Sequence, residues 1–146
     1  MSGPTDPTEP HFDKGLWGYD GTQWRRLGVV WGYADRLKLD LSETSTGGGS
    51  TTVTSTAVPA GYVYNVQTLF VWHDDPVARY TVFYFKVGAA LTRIAFHAAL
   101  PQYQFLEPLG GLIMKEGDQL QAICVSLANT ERVYLTAFGY KMAVAE

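Results

Sequence analysis

Residues 36–41 alternate leucine with charge, Leu37, Leu39 and Leu41 against Arg36, Lys38 and Asp40. Successive side chains of a strand point to opposite faces, so the pattern predicts a half-buried β-strand. No stretch of the chain carries a helical apolar period of about 3.6 residues with caps at both ends. Instead, strand-forming runs follow one another between Gly and Pro: 51–58, 62–73, 79–87, 91–98, 110–114, 119–127 and 131–142. The run 62–73 stops at Asp74-Asp75-Pro76. This punctuation predicts an all-β chain, an antiparallel β-sandwich of jelly-roll type.

Three segments are expected. Residues 1–15, with Pro4, Pro7 and Pro10, offer almost nothing to bury and read as an arm, free or ordered by a neighbour. Residues 16–43 form a tryptophan-rich block. Within it 16–27 reads as a small hairpin turning at Asp20-Gly21, and the alternating strand follows. Residues 44–146 form the main sandwich. The run Ser42-Glu43-Thr44-Ser45-Thr46-Gly47-Gly48-Gly49-Ser50 reads as a flexible spacer, either a domain boundary or a long loop within one sandwich. Two further hairpins are expected, 79–87 with 91–98 across Gly88, and 119–127 with 131–142 across Ala128-Asn129-Thr130.

Composition narrows the function. Charged residues are 17% of the chain, against roughly 25% in soluble domains, while aromatics reach 14%. Eleven basic and fourteen acidic side chains give a net charge of −3, with no basic block to neutralise phosphates, so no nucleic-acid partner is expected. No apolar run approaches the ~20 residues that span a bilayer, and no membrane partner is expected. The polar, Pro-rich start lacks the apolar core of a secretory signal, which implies synthesis in the cytoplasm. Cys124 is the single cysteine, so neither an internal disulfide nor a cysteine-rich zinc site is available. Its place between Ile123 and Val125 reads as a small buried hydrophobe.

Catalytic arrangements are missing. There is no Gly-x-Ser-x-Gly, no Cys-His pairing, and no ligand spacing among His11, His73 and His97. The Gly47-Gly48-Gly49 run opens no helix and so lacks the setting of a phosphate cradle. Glu116 and Asp118 flank Gly117 in an ordinary turn. One cluster, Trp72-His73-Asp74-Asp75-Pro76, could hold a divalent cation. Neighbouring strand residues point apart, however, and a solvated strand end is the plainer reading. No enzyme activity, cofactor or metal is expected.

The aromatics carry the functional argument. In a two-layer sandwich each strand should have one dry and one wet face. The run 79–87 sets Tyr80, Val82 and Tyr84 against Phe83, Phe85 and Val87. The run 131–142 sets Tyr134, Phe138, Tyr140 and Met142 against Val133, Leu135 and Ala137. The second faces require a cover, most economically another copy of the chain. Candidate interface residues are Trp17, Tyr19, Trp24, Trp31, Tyr80, Tyr84, Tyr134, Phe138 and Tyr140. Trp17, Trp24, Trp31 and Tyr103 are alternatively sugar platforms, since a ring can stack on the apolar face of a pyranose. Core or subunit packing is the commoner use of such rings.

The segments Val58-Pro59-Ala60-Gly61-Tyr62-Val63-Tyr64 and Lys115-Glu116-Gly117-Asp118-Gln119-Leu120, the final Gly139-Tyr140 pair, and Tyr19-Asp20-Gly21-Thr22-Gln23-Trp24 together resemble small β-sandwich virion proteins of tailed bacteriophages. The resemblance spans residues 16 to 142. It implies a capsid decoration or cement protein located in the virion, a homo-oligomer and most often a trimer. Its partners would be the phage major capsid protein or neighbouring virion proteins. On this resemblance the arm would order along the capsid surface. A carbohydrate- or receptor-binding module of a virion or tail is the alternative, and a metal-dependent cupin-like enzyme a more distant one.

Overall fold

The computed structural model describes residues 16–19, 24–28, 36–108 and 110–144. Every element among them is a strand: β1 (Leu16–Tyr19), β2 (Trp24–Gly28), β3 (Arg36–Thr44), β4 (Ser50–Thr54), β5 (Tyr62–His73), β6 (Arg79–Val87), β7 (Ala90–Leu100), β8 (Leu112–Met114), β9 (Gln119–Val125) and β10 (Arg132–Val144). Among the described residues no helix is long and apolar enough to cross a membrane. The expected arm, 1–15, lies outside the described residues.

The strands form two antiparallel sheets. One has six strands: β5 lies between β8 and β10, while β3 and the β1–β2 hairpin share the other edge of β10. The second has the order β4-β9-β6-β7. From β3 onward every connection except β6–β7 passes from one sheet to the other, which is the double Greek key of a jelly roll. The β6–β7 hairpin is as expected. β9 and β10, read from the sequence as a hairpin, are instead in different sheets. Both have one apolar phase, and such a phase marks the inner face without saying which sheet owns the strand.

Between the sheets lies one core. Leu37, Val66, Leu69, Val71, Val133, Leu135 and Ala137 from the first sheet meet Val53, Phe83, Leu120, Ala122 and Cys124 from the second. Each aliphatic or aromatic side chain buried there contributes about 1.5–3 kcal/mol. Leu37 belongs to this core, and β3 pairs with β10 from Thr44 opposite Arg132 to Arg36 opposite Tyr140. The Gly-rich spacer is therefore a crossover within one sandwich, the second of its two readings. It is also tied down: buried Ser45 donates its hydroxyl to the Leu127 carbonyl at 3.0 Å and accepts from the Gly47 amide at 3.1 Å.

β5 departs from simple alternation. Its register against β10 runs Thr68 opposite Phe138 and then Val66 opposite Gly139, leaving Gln67 as the extra residue of a bulge. Unbroken alternation along 62–73 would place Tyr62, Tyr64, Val66, Thr68, Phe70 and Trp72 on one face. The bulge divides that stripe. Val66 joins the core and Tyr64 packs against it, whereas Phe70 and Trp72 share the opposite phase from buried Leu69 and Val71 and so point outward. Backbones approach closely there. A Cβ on Gly139 would collide with the Asn65 carbonyl oxygen and sit 2.9 Å from Val66 Cα; one on Gly111 would lie 2.9 Å from the Val66 oxygen.

Gly139→Ala therefore has to open the β5–β10 pairing. The expected cost is about 2 kcal/mol, in the range of overpacked cores, seen as a melting temperature several degrees lower. A variant melting within a degree of the parent would show that the pairing yields freely.

Candidate interaction surface

The His73-Asp74-Asp75 cluster is a structural joint. His73 and Asp75 are fully buried, which corrects the reading of a solvated strand end. The three side chains diverge, as strand geometry requires. His73 Nε2 lies 2.7 Å from the Leu100 carbonyl and so carries the proton it donates. Asp74 accepts the Arg132 amide at 2.6 Å on one oxygen and the Tyr134 hydroxyl at 3.1 Å on the other. Asp75 accepts from the Val77 amide at 2.8 Å, the Ala128 amide at 2.8 Å and Arg79 Nε at 2.9 Å. Among the described residues no three His, Cys, Asp or Glu side chains are grouped to hold a metal ion.

These partners set the protonation states. Burial by itself raises the Asp75 pKa, but the Ala128 and Val77 amides and the Arg79 guanidinium outweigh it and hold the carboxyl below its ordinary value of 3.8. Nearby, burial pushes the Cys124 thiol up, with Thr81 Oγ1 3.4 Å from its sulfur, so it stays a protonated, enclosed hydrophobe. A hydrogen bond with Asp74 raises the Glu131 pKa. Burial, then the bond to Asp74, raises that of Tyr134.

Above this joint the outward face of the six-stranded sheet is paved with rings. Tyr134 and Trp72 are register partners and stack at 3.9 Å with planes 4° apart. Loop 101–108 lies along the free edge of β5, through paired backbone bonds between Leu106 and Val71 and a bond from the Tyr103 amide to His73. That edge sets Tyr103 at 6.0 Å from Trp72 and Phe105 at 4.5 Å from Phe70. Phe138 and Tyr140 continue the surface along β10. Tyr103, Phe105, Phe138 and Tyr140 are 62%, 56%, 41% and 45% exposed. Tyr103 is held at φ 58°, a left-handed conformation that costs about 1–3 kcal/mol for a side chain of this kind.

The sequence candidates divide between two faces. Tyr134, Phe138 and Tyr140 are on the six-stranded sheet. Tyr80 and Tyr84 share the outward phase of β6 with Val82, which is 2% exposed yet apart from the central core. Ile123 and Phe96 flank Val82 across the strands, and Arg93 lies 4.5 Å above the Phe96 ring. A thin second apolar layer thus covers the outside of the smaller sheet, as the two-faced pattern of β6 implies. Trp17, Tyr19 and Trp24 occupy β1 and β2, with Tyr19 paired to Trp24 and Trp17 to Arg26. Residues 20–23, between those strands, and Trp31 lie outside the described residues.

Phe70, Trp72 and Phe105 are missing from the sequence candidates. The first two were masked by the phase that the bulge inverts. Phe105 is in a run without periodicity, and only its pairing to β5 brings it to the sheet.

Comparison with models of known protein families finds no match, and comparison with curated proteins finds no relative.

The Asp75 contribution to stability is present above pH 3.8, its ordinary value, and is lost as the pH falls through the lower folded-state value. Melts of the wild type should therefore weaken steeply in acid. Asp75→Asn should cost about 3 kcal/mol at neutral pH and flatten the acid limb. An unchanged acid limb in the variant would remove Asp75 from the joint.

Proposed function

We propose that this chain is a non-enzymatic structural protein of a bacteriophage virion, a capsid decoration or cement protein that stabilises the shell through apolar interfaces between copies. It would be made in the host cytoplasm and act in the virion, as a homo-oligomer and by the resemblance a trimer, against the major capsid protein or a neighbouring virion protein. The observation that carries the reading is the ladder of rings on the outward face of the six-stranded sheet, Tyr103-Trp72-Tyr134 beside Phe105-Phe70.

Exposed rings so close together are unusual on a monomer, whose apolar patches seldom exceed a few hundred Å². A side chain of this kind buries about 150–250 Å² when taken from full exposure; Tyr103 and Phe105, 62% and 56% exposed, and the half-buried Phe70, Trp72 and Tyr134 supply a part of the ~800 Å² per partner of a standard interface. Ordering costs little, because the rings already stack on one another and rest on a rigid sheet. Jelly rolls serve both viral capsids and lectins, which agrees with the role and also keeps the alternative in view.

That alternative is a carbohydrate- or receptor-binding module. Tyr103 favours it, as an exposed ring held by a strained backbone beside Trp72.

Sedimentation at micromolar concentration should give an oligomer. Phe105→Ser with Tyr103→Ser should shift it at least tenfold toward monomer while the far-ultraviolet spectrum stays that of a β protein. Added to shells lacking it, the protein should raise their thermal disruption temperature. A folded wild-type monomer that leaves the shells unchanged would reject the cement role. Glycan binding abolished by Tyr103→Ala would favour the alternative.

A further inference from the structure

At the far end of the ladder the surface opens into a groove of about 510 Å³ between β3 and β10, within the ~300–1,000 Å³ of ordinary ligand sites. Strand register explains its form. The Leu37–Gly139 pair makes the floor, because Leu37 is buried and Gly139 has no side chain. Phe138 and Tyr140, on either side of Gly139, stand outward about 7 Å apart along the strand. Both are exposed. Lys38 and Arg36, their register partners on β3, complete the walls.

The remaining lining residue is Gln67, the one that the bulge takes out of register with β10. Bulges re-aim side chains, and they gather beside binding sites for that reason. Here the bulge brings a carboxamide to a hollow floored by glycine and walled by rings. The bare floor belongs to the same arrangement, since a Cβ on Gly139 would strike the Asn65 carbonyl oxygen.

This lining selects its ligand. β10 is bonded to β3 on one side and to β5 on the other, so the floor offers no strand edge to a peptide. A wholly apolar ligand would strip water from Gln67 and Lys38 and return no hydrogen bond. A bare anion would leave both rings unused, and it would approach a chain of net charge −3. A pyranose suits every group. Its C–H face packs on an aromatic ring. Each of its hydroxyls both donates and accepts, as the Gln67 amide and the Tyr140 hydroxyl do, while the Lys38 ammonium donates to a hydroxyl oxygen.

We infer that the groove between β3 and β10 is a carbohydrate site that takes a pyranose unit, its C–H face on Phe138 and Tyr140 and its hydroxyls on Gln67 and Lys38. The site is separate from the Tyr103–Trp72 rings, and it rests neither on the cement reading nor on the alternative at Tyr103.

Saturation transfer in proton NMR, from the full chain to neutral gluco-, galacto- and manno-configured oligosaccharides in turn, tests the site. At least one sugar should bind, its C–H protons receiving saturation most strongly. Phe138→Ala and Tyr140→Ala should each weaken that binding roughly tenfold or more, the size of a lost ring stack with its buried area. Gln67→Glu, which removes a donor and keeps the shape, should weaken it too. All three positions are exposed, so the variants should melt with the parent. Tyr103→Ala on the ladder and Tyr84→Ala on the smaller sheet should leave binding unchanged. No saturable binding of any of the sugars would overturn the inference, as would binding that survives all three groove substitutions. Binding lost with Tyr103→Ala instead would move the sugar to the ladder and overturn the groove assignment. Sedimentation of the same samples reads the oligomer separately: a monomer that binds sugar through Phe138 leaves the groove standing while the cement reading falls.

Discussion

The bulge in β5 decides which rings this protein shows to its surroundings. Were Gln67 paired in unbroken register instead of bulged, the strand would keep a single phase through Tyr62–His73. Tyr64, Val66, Phe70 and Trp72 would then share one face, and either the core would lack Val66 or the surface would lack Trp72. The bulge satisfies both by inverting the alternation midway. Its geometry is accommodated by Gly139 opposite, where any side chain would strike the β5 backbone. The outward aromatic ladder and the core beneath it both depend on this bulge.

The other end of the sandwich is organised by Asp75. Removing a carboxylate from water is expensive unless its lone pairs are filled. Here they are filled by amides from two separate connections, β5–β6 and β9–β10, and by Arg79. A buried charge thereby links loops that share no sheet pairing. Asp74, one residue earlier, holds the hydroxyl of Tyr134, whose ring stacks on Trp72. The joint thus reaches the exposed ladder through the Asp74 side chain and through the bond from the Tyr103 amide to His73, and the rings rest on a scaffold braced from below. That rigidity favours an interface whose energy is not spent on ordering.

Much of the fold was legible because alternation is a local signal. The β3 pattern, the twelve-residue extent of β5 and the β6–β7 hairpin all follow from side-chain phase and turn residues. What local phase cannot carry is sheet membership. β9 and β10 are adjacent in sequence, both amphipathic, and bonded to different neighbours. The two-faced character of β6 and β10 was also readable, and the buried Val82 beneath an outward surface shows the physical form it takes on β6. Illegible were the bulge, which shifts phase without a glycine or proline to mark it, and the loop 101–108. That loop gains its place from bonds to the backbone of β5 and the residue after it, two between Leu106 and Val71, one from the Tyr103 amide to His73 and one from the Gln102 side chain to the Asp74 carbonyl. Asp75 looked like a turn acid because its partners at Ala128 and Arg79 are supplied by the fold.

The shortage of charge in the sequence has a definite location in three dimensions. On the six-stranded sheet the rings occupy β5, β10 and the segment beside β5, while the outward residues of β3 are Arg36, Lys38, Asp40 and Ser42. The apolar surface is thus bounded along one side by a polar row. The opposite side ends in Tyr103 and Phe105, exposed and without any charged side chain between them. A partner approaching from the β5 side meets Tyr103 and Phe105 with Gln104 and Glu107 exposed beside them; one approaching across β3 must strip water from a row of charges first. Interfaces tend to have apolar centres and polar rims, so the β3 row is suited to be the rim. A contact made on the rings would extend past β5, beyond the edge of the sheet, along loop 101–108.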